Sequence, residues 1–361
     1  MKKHLFIFTV ITLMCFTSCS KEEENLPWWQ DPEVLSRRPV KPTVNEIPIT
    51  RPEIMDEVQE INDRIHSFSW KLFQQYYQNS NDNVLIAPYD ILSSLRYRVS
   101  QKGEEAKMRF LAMMDLSVFS DKIIDNYFYY TEEELFSLEF LTSGPYVRYR
   151  KNFVQESDNT ISTIDLFGGW SKAFDEKDTK RMMFHKSDGT QEEVDMMFRI
   201  HQAYYHEFGE YTVVRIDVLD SNFDTFFVLP NEGYTIDEVI KRISPSDFTE
   251  KDAKQVYLGM PKFSIQQRNI LDDDMLQQLG YYSVNTRAEC SDDIVKINTI
   301  WQDCSLSVSE KGFGNLIDSW SSTGYIPYAT SYAHFCLDHP FIFGFLERNR
   351  NTPLFIGYYG Y

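Results

Sequence analysis

The chain has 361 residues, of which 42% are hydrophobic and 15% are aromatic. That much apolar material can bury one large domain or two ordinary ones, which excludes an intrinsically disordered protein. The formal net charge is −18 at pH 7, so polyanions are repelled on average, and neither nucleic acid nor heparin is expected as a partner.

The N-terminus has the pattern of an export signal. Two lysines precede an apolar run from Leu5 to Phe16, and two small residues then precede Cys19. The run is too short to span a bilayer and has the order of a secretory signal peptide, at 1–18. Residues 16–19 also resemble a bacterial lipobox, which predicts lipidation of Cys19; an ordinary cleavable signal is the alternative.

The acidic residues after Cys19 resemble the tags that direct some lipoproteins of Gram-negative bacteria to the cell surface. We therefore expect an exported lipoprotein of the outer membrane or cell surface, which meets the membrane only through its N-terminal lipid. Repeated prolines in 19–53 disfavour helix and predict a tether, and residues 54–361 form the folded domain.

Helix patterns dominate the first part of this domain. Pro88 begins a predicted second helix at a favoured position, and a third covers 104–116. A further helix is predicted over 127–138, followed by a strand over 146–153. The first helix is predicted from apolar residues spaced three and four apart, which are Val58, Ile61, Ile65, Phe68, Leu72 and Tyr76.

Strand patterns dominate the second part, interrupted by predicted helices over 235–243 and 271–279. Helices first and strands later predict an α+β fold with mostly antiparallel strands. A polar stretch from Ser305 to Tyr332 is long for a loop within a compact domain, which suggests a functional loop. The predicted strands cover 84–86, 164–167, 212–216, 225–229, 256–265, 306–308, 341–346 and 354–358.

Several short motifs resemble the serpin family, and their order and spacing support that resemblance over about 54–361. They are NVLIAP at 83–88, GWSKAF at 169–174, VDMM at 194–197, FVLPNEG at 227–233, MPKF at 260–263, LQQLG at 276–280, EKG at 310–312, HPFIF at 339–343 and PLFIG at 353–357.

The resemblance is to a divergent bacterial serpin-like lipoprotein and implies the serpin fold. That fold has N-terminal helices, a large central sheet, a second sheet with the C-terminal strands, and an exposed reactive loop, here between Gly312 and Phe335. It also implies an ion pair between Lys262 and Glu310 where the loop leaves the sheet, with Trp170 packed nearby. The segment between about 117 and 160 is short for the family, which implies deletion of helices and an edge strand.

Inhibitory members of the family act as suicide substrates. A serine or cysteine protease cleaves the reactive loop, which then inserts into the central sheet and traps the acyl-enzyme. The hinge here is Glu310, Lys311 and Gly312. Phe313 and Asn315 would point into the core, and we expect overpacking by Phe313 and an unpaired Asn315 amide to cost about 1–3 kcal/mol each.

The expected cleavage site lies near Ile326 and Pro327, where a bond before proline is a poor substrate, so Tyr325 or Tyr328 is an alternative. Because no lysine or arginine occurs between Phe313 and Pro340, a trypsin-like protease is not expected. The expected partners are chymotrypsin-like, elastase-like or cysteine proteases.

Two functions remain open from the sequence: a protease inhibitor, with trapping weakened by these loop residues, or a non-inhibitory binding or structural protein with the same fold. Further departures from the family occur where the central sheet would part, at Ala87, Asp90, Ser162 and Gln302. No enzyme motif is present, so no catalytic residue, cofactor or metal is expected, and we expect a monomer.

Overall fold

A computed structural model describes residues 52–137, 148–156, 159–218, 223–249, 253–281, 299–314, 332–348 and 351–361. The predicted signal peptide, the lipidation site at Cys19 and nearly all of the tether lie outside these residues. The described residues belong to one compact unit, Ile49–Tyr361. Within these ranges, no helix is both long and apolar enough to cross a membrane.

The helices agree with the predicted pattern. The apolar stripe of the first helix is buried from Ile61 to Tyr76, with Val58 packed against the same core. A capping box between Thr235 and Glu238 starts the fifth helix, and Gly280 ends the sixth in the left-handed conformation. The helices are α1 Pro52–Gln78, α2 Pro88–Ser100, α3 Glu104–Met113, α4 Asp121–Ser137, α5 Ile236–Arg242 and α6 Asp273–Leu279.

The larger sheet contains nine strands and carries the C-terminal part of the chain. Its hydrogen-bonded order is β1-β14-β13-β7-β6-β5-β8-β12, with β4 paired to β5. Its strands are β1 Val84–Ile86, β4 Lys180–His185, β5 Gln191–Glu207, β6 Tyr211–Asp217, β7 Phe223–Pro230, β8 Ala253–Pro261, β12 Ala333–Cys336, β13 Phe341–Glu347 and β14 Pro353–Tyr359.

The second sheet has five strands in the order β2-β3-β11-β10-β9. Its strands are β2 Arg148–Glu156, β3 Asn159–Gly169, β9 Phe263–Leu271, β10 Ile300–Val308 and β11 Gly312–Phe313. All described strand pairs are antiparallel except β3 with β10 and β8 with β12. The α+β architecture with mostly antiparallel sheets is therefore confirmed.

The short segment before β3 contains α4 and then β2, which pairs with β3 as a hairpin from Arg148 with Phe167 to Glu156 with Asn159. Between 117 and 160, the described residues form no other strand and no other helix. This simple hairpin agrees with the expected shortening of the segment.

The prediction of one strand over 256–265 is wrong, because the chain changes sheets in its middle. β8 ends at Pro261 in the nine-stranded sheet, and β9 begins at Phe263 in the five-stranded sheet. Between them, the Lys262 amide donates a hydrogen bond to the Asp195 carbonyl at 2.8 Å. Strand alternation continues through the change, so the pattern alone could not locate it.

The core lies between the two sheets and under the helices. The Phe263 ring on β9 lies 5.1 Å from the Phe343 ring on β13. Strand β1 pairs with β14, and its Leu85 amide and carbonyl bond to the Gln267 and Asn269 side chains of β9. These contacts hold β9, the partner of β10 in the sheet that carries the candidate site, against the larger sheet.

Candidate functional site

The chain reverses direction at the end of β10. The Ser309 amide donates to the Gly312 carbonyl at 2.9 Å, and the Gly314 amide donates to the Ser307 carbonyl at 2.7 Å. The returning strand β11 lies between β10 and β3, with Phe313 opposite Val308 on one side and Gly168 on the other. The first residues after the hinge are therefore already part of the sheet.

Phe313 is fully buried in this position. Its ring centroid lies 4.4 Å from that of Phe345 and 5.4 Å from that of Trp170. Gly168 makes the space, because a Cβ at that residue would lie 2.3 Å from the tip of the Phe313 ring. The expectation that Phe313 would overpack the sheet is wrong, because the residue that faces it on β3 is Gly168, which has no side chain.

The same contacts shorten the predicted exposed loop. Gly312 and Phe313 are buried, and Phe335 lies in β12. Gly312 tolerates no side chain, because a Cβ there would lie 2.0 Å from the Gly168 carbonyl oxygen. The loop between the two strands is thus limited to residues 314–332, of which 315–331 are outside the described part of the chain.

Glu310 lies at the turn that leads into β11. Its carboxylate accepts hydrogen bonds from Lys262 Nζ, 3.0 Å from Oε2, and from Thr179 Oγ1 at 2.9 Å. Burial acts to raise the pKa of Glu310, but hydrogen bonds from its own amide, Lys262 and Thr179 outweigh it and hold that pKa below its usual range. The predicted Lys262 and Glu310 pair is thus present in the structure.

Trp170 fixes the other side of the turn. Its Nε1 donates to the Ser309 carbonyl at 2.8 Å, and its amide donates to the Lys311 carbonyl at 3.3 Å. The Phe174 amide donates to the Glu310 carbonyl at 2.9 Å. Residues 170–174 therefore bind the backbone of the turn at three successive residues and hold the start of β11 in place.

The structure brings together Trp170, Lys262 and Glu310, with Lys311 contributing through its backbone. The predicted residues Asn315, Tyr325, Ile326 and Pro327 lie outside the described ranges. Sequence reasoning did not identify Gly168 as part of the site. Two adjacent glycines, at 168 and 169, within an apolar strand were the available signal, because glycine in a strand often marks a close approach of another chain segment.

A second group of contacts joins β3 and β10 further along the sheet. Asp90 Oδ2 accepts hydrogen bonds from Ser162 Oγ on β3 and from Gln302 Nε2 on β10, both at 2.7 Å. The Gln302 side chain also bonds the backbone of Ala87 in both directions. All four residues are fully buried, and we call them the clasp. The predicted departures from the family thus form one connected network.

Other chemical groups are sparse in the described residues. They contain no cluster of three or more histidine, cysteine, aspartate or glutamate side chains arranged to hold a metal ion. Cys304 and Cys336 are free thiols. The distinctive feature of this region is therefore β11, a strand that lies between β3 and β10 at the end of their parallel pairing.

A sequence model of the serpin (serine protease inhibitor) family matches residues 159–360, from β3 to the end of the chain's last strand. That is more than half of the chain. This protein belongs to the serpin family. The match begins at the hairpin strand and includes every residue of the turn, of β11 and of its contacts.

Individual relatives are distant. The chain is 25% identical to human serpin I2 over 213 residues, 55% of this chain and 51% of that protein. It is 23% identical to an uncharacterized serpin-like protein of Methanosarcina mazei over 224 residues, 57% of this chain and 51% of that protein. The chain thus spans about half the length of the curated relatives that it matches.

The fold is also similar to that of a solved complex of thyroxine-binding globulin with thyroxine. The TM-score is 0.63 at 16% identity, with 83% of this chain and 98% of that chain covered. At this identity the likeness concerns the fold alone. It confirms the serpin architecture that the sequence motifs predicted.

Proposed function

We propose that this serpin inhibits a serine or cysteine protease by offering residues 315–331 as bait and inserting the cleaved loop between β3 and β10. The observation that carries the proposal is the position of β11. Gly312 and Phe313 already pair with Gly169 and Gly168 on β3, and Phe313 pairs with Val308 on β10. The first rung of an inserted strand is in place.

The path for further insertion continues from β11. Beyond it, β3 and β10 pair directly and in parallel over six rungs, from Thr160 with Ile300 to Asp165 with Ser305. An inserted strand would replace this single ladder with two antiparallel ladders, which gain backbone hydrogen bonds on both sides. A polar cleft of about 30 Å³, lined by Leu166, Ser305 and Gly314, lies where the two strands begin to separate.

The bait sequence supports a target that cleaves after aromatic or aliphatic residues. Tyr325, Ile326 and Tyr328 lie in the middle of the loop, which contains no lysine or arginine. A chymotrypsin-like, elastase-like or cysteine protease fits these residues. In this role the serpin supplies no catalytic group and needs no cofactor, because the protease performs the chemistry.

A non-inhibitory binding or structural role is the second candidate, and the clasp favours it. Asp90, Ser162 and Gln302 tie β3 to β10 from within the core, and insertion must break these bonds. By strand alternation, the next inward-pointing residue of an inserted strand would be Asn315, whose buried amide would need hydrogen-bond partners. Slow insertion turns a trap into an ordinary substrate.

The test is reaction of the folded domain with a panel of proteases of these three classes. Inhibition predicts an SDS-stable complex with one of them, and a large increase in the melting temperature of the domain after loop cleavage. Asn315→Pro is a matched control, because proline has no N–H to donate to the ladders that an inserted strand must form. That variant should be cleaved without forming a complex. Loop cleavage with no complex and no increase in melting temperature would exclude trapping.

A further inference from the structure

The outer face of strands β5, β8 and β12 carries a group of contacting aromatic side chains. Tyr257 stacks on Phe198 at 5.4 Å and contacts both Tyr332 and His334 at 5.7 Å, while Tyr332 and His334 lie 5.1 Å apart. We call these four residues the aromatic patch. Tyr332 is 43% exposed, and His334 is also exposed.

Strand register explains why these residues share a face. Ile200 on β5 pairs with Tyr257 on β8, which pairs with His334 on β12. Tyr332 is the first described residue after 315–331 and leads directly into β12. The aromatic patch is therefore located at the C-terminal end of the loop that we propose as bait.

We propose that the aromatic patch is a second contact surface for the protease that engages the loop, and that it fits a protease with a lysine or arginine beside the part of its cleft that binds residues after the cleaved bond. The proposal rests on the proposed function. It concerns the rate of recognition and is separate from trapping by loop insertion.

Chain length places the patch within reach of a bound protease. Tyr332 is six positions after Ile326, so the Cα atoms of the two residues lie at most about 21 Å apart even when the chain is fully extended. A standard protein interface covers about 800 Å² on each partner, which corresponds to a disc about 32 Å wide. An interface centred on Ile326 extends about 16 Å from it, so it includes the patch wherever the chain between them is less than fully extended.

Charge and chemistry determine the kind of protease surface that fits. Aromatic faces attract cations, and Lys180 Nζ already lies 5.7 Å from the centroid of the Phe198 ring. Tyr332 and His334 contact Tyr257 instead, at the end of the patch that adjoins the loop. The whole chain has a net charge of −18, which attracts a basic surface and accelerates its approach.

The experiment uses whichever protease of the panel reacts within 315–331 and measures its second-order rate constant with the whole serpin. Tyr332→Ala combined with His334→Ala should slow this reaction about tenfold, while the ratio of complex to cleaved product stays unchanged. Tyr234→Ala is the matched control, because Tyr234 is 40% exposed and lies outside the patch. Both side chains are exposed, so these variants should keep the melting temperature of the parent.

Charge variants test the chemistry of the partner. His334→Arg should react about tenfold more slowly than His334→Glu, and raising the salt concentration should reduce that difference. Equal rates for the parent and the double variant, or a faster His334→Arg, would overturn this inference alone. If no protease reacts with the loop at all, the proposed function itself is overturned.

Discussion

At the scale of single residues, the contact between Gly168 and Phe313 determines how the loop begins. We predict that Gly168→Ala destabilises the protein by about 1–3 kcal/mol, because its methyl group would overlap the Phe313 ring, 2.3 Å away. Phe313→Ala should cost about 3–5 kcal/mol through the cavity it leaves. Urea unfolding of the two single variants and the double variant measures their coupling. Additive effects would show that Gly168 does not shape the pocket of Phe313.

The residues of the site differ in how far the sequence could predict them. Trp170, Lys262 and Glu310 came from matching family motifs, and the structure brings them together around one turn. The packing of Phe313 could not be predicted, because its partner Gly168 belongs to a strand far away in the sequence. A bulky residue after a hinge is costly against a side chain and favourable against a glycine, and only the register distinguishes the two cases.

At the scale of elements, long amphipathic helices were predictable, whereas strand membership was not. The stripe of α1 was correct because a helical period identifies one buried face. The period of a strand says nothing about its neighbours, so the change of sheet between β8 and β9 was missed. The long strand β5, Gln191–Glu207, was also missed, because its polar first residues hide the alternation.

The clasp leads to a prediction about two elements, β3 and β10. Ser162→Ala removes the hydroxyl that donates to Asp90 Oδ2 and should destabilise the protein by about 1–3 kcal/mol. It should also increase hydrogen exchange of the amides in the six parallel rungs. Ser264→Ala, on the exposed face of β9, is the control and should change neither quantity. Unchanged exchange in Ser162→Ala would mean that the clasp does not hold the two strands together.

For the molecule as a whole, buried histidines determine how stability depends on pH. Burial lowers the pKa of His66 to about 3, with a smaller contribution from Arg215, and it lowers the pKa of His201 to about 3, with smaller contributions from Arg199 and Lys172. His66 Nε2 accepts a hydrogen bond from Trp70 Nε1 at 3.0 Å, which requires a ring nitrogen without a proton. The folded protein therefore keeps both rings neutral where the unfolded chain does not.

The two histidines predict acid destabilisation well above the range in which carboxylates titrate. Between pH 6.5 and about 3 the unfolded chain binds two protons that the folded protein excludes. The free energy of unfolding therefore decreases as the pH is lowered, by about 4 kcal/mol from pH 7 to pH 5. His339 offsets only a small part of this loss. Burial acts to lower the pKa of His339, but its hydrogen bonds to Asp338 and to the Pro230 carbonyl outweigh burial and raise that pKa, so its stabilising contribution grows little further once the pH is below 6.5. Urea unfolding at pH 7, 6 and 5 measures the slope. His66→Gln and His201→Gln should each remove about half of it, and a slope that persists in the double variant would assign the effect to other groups.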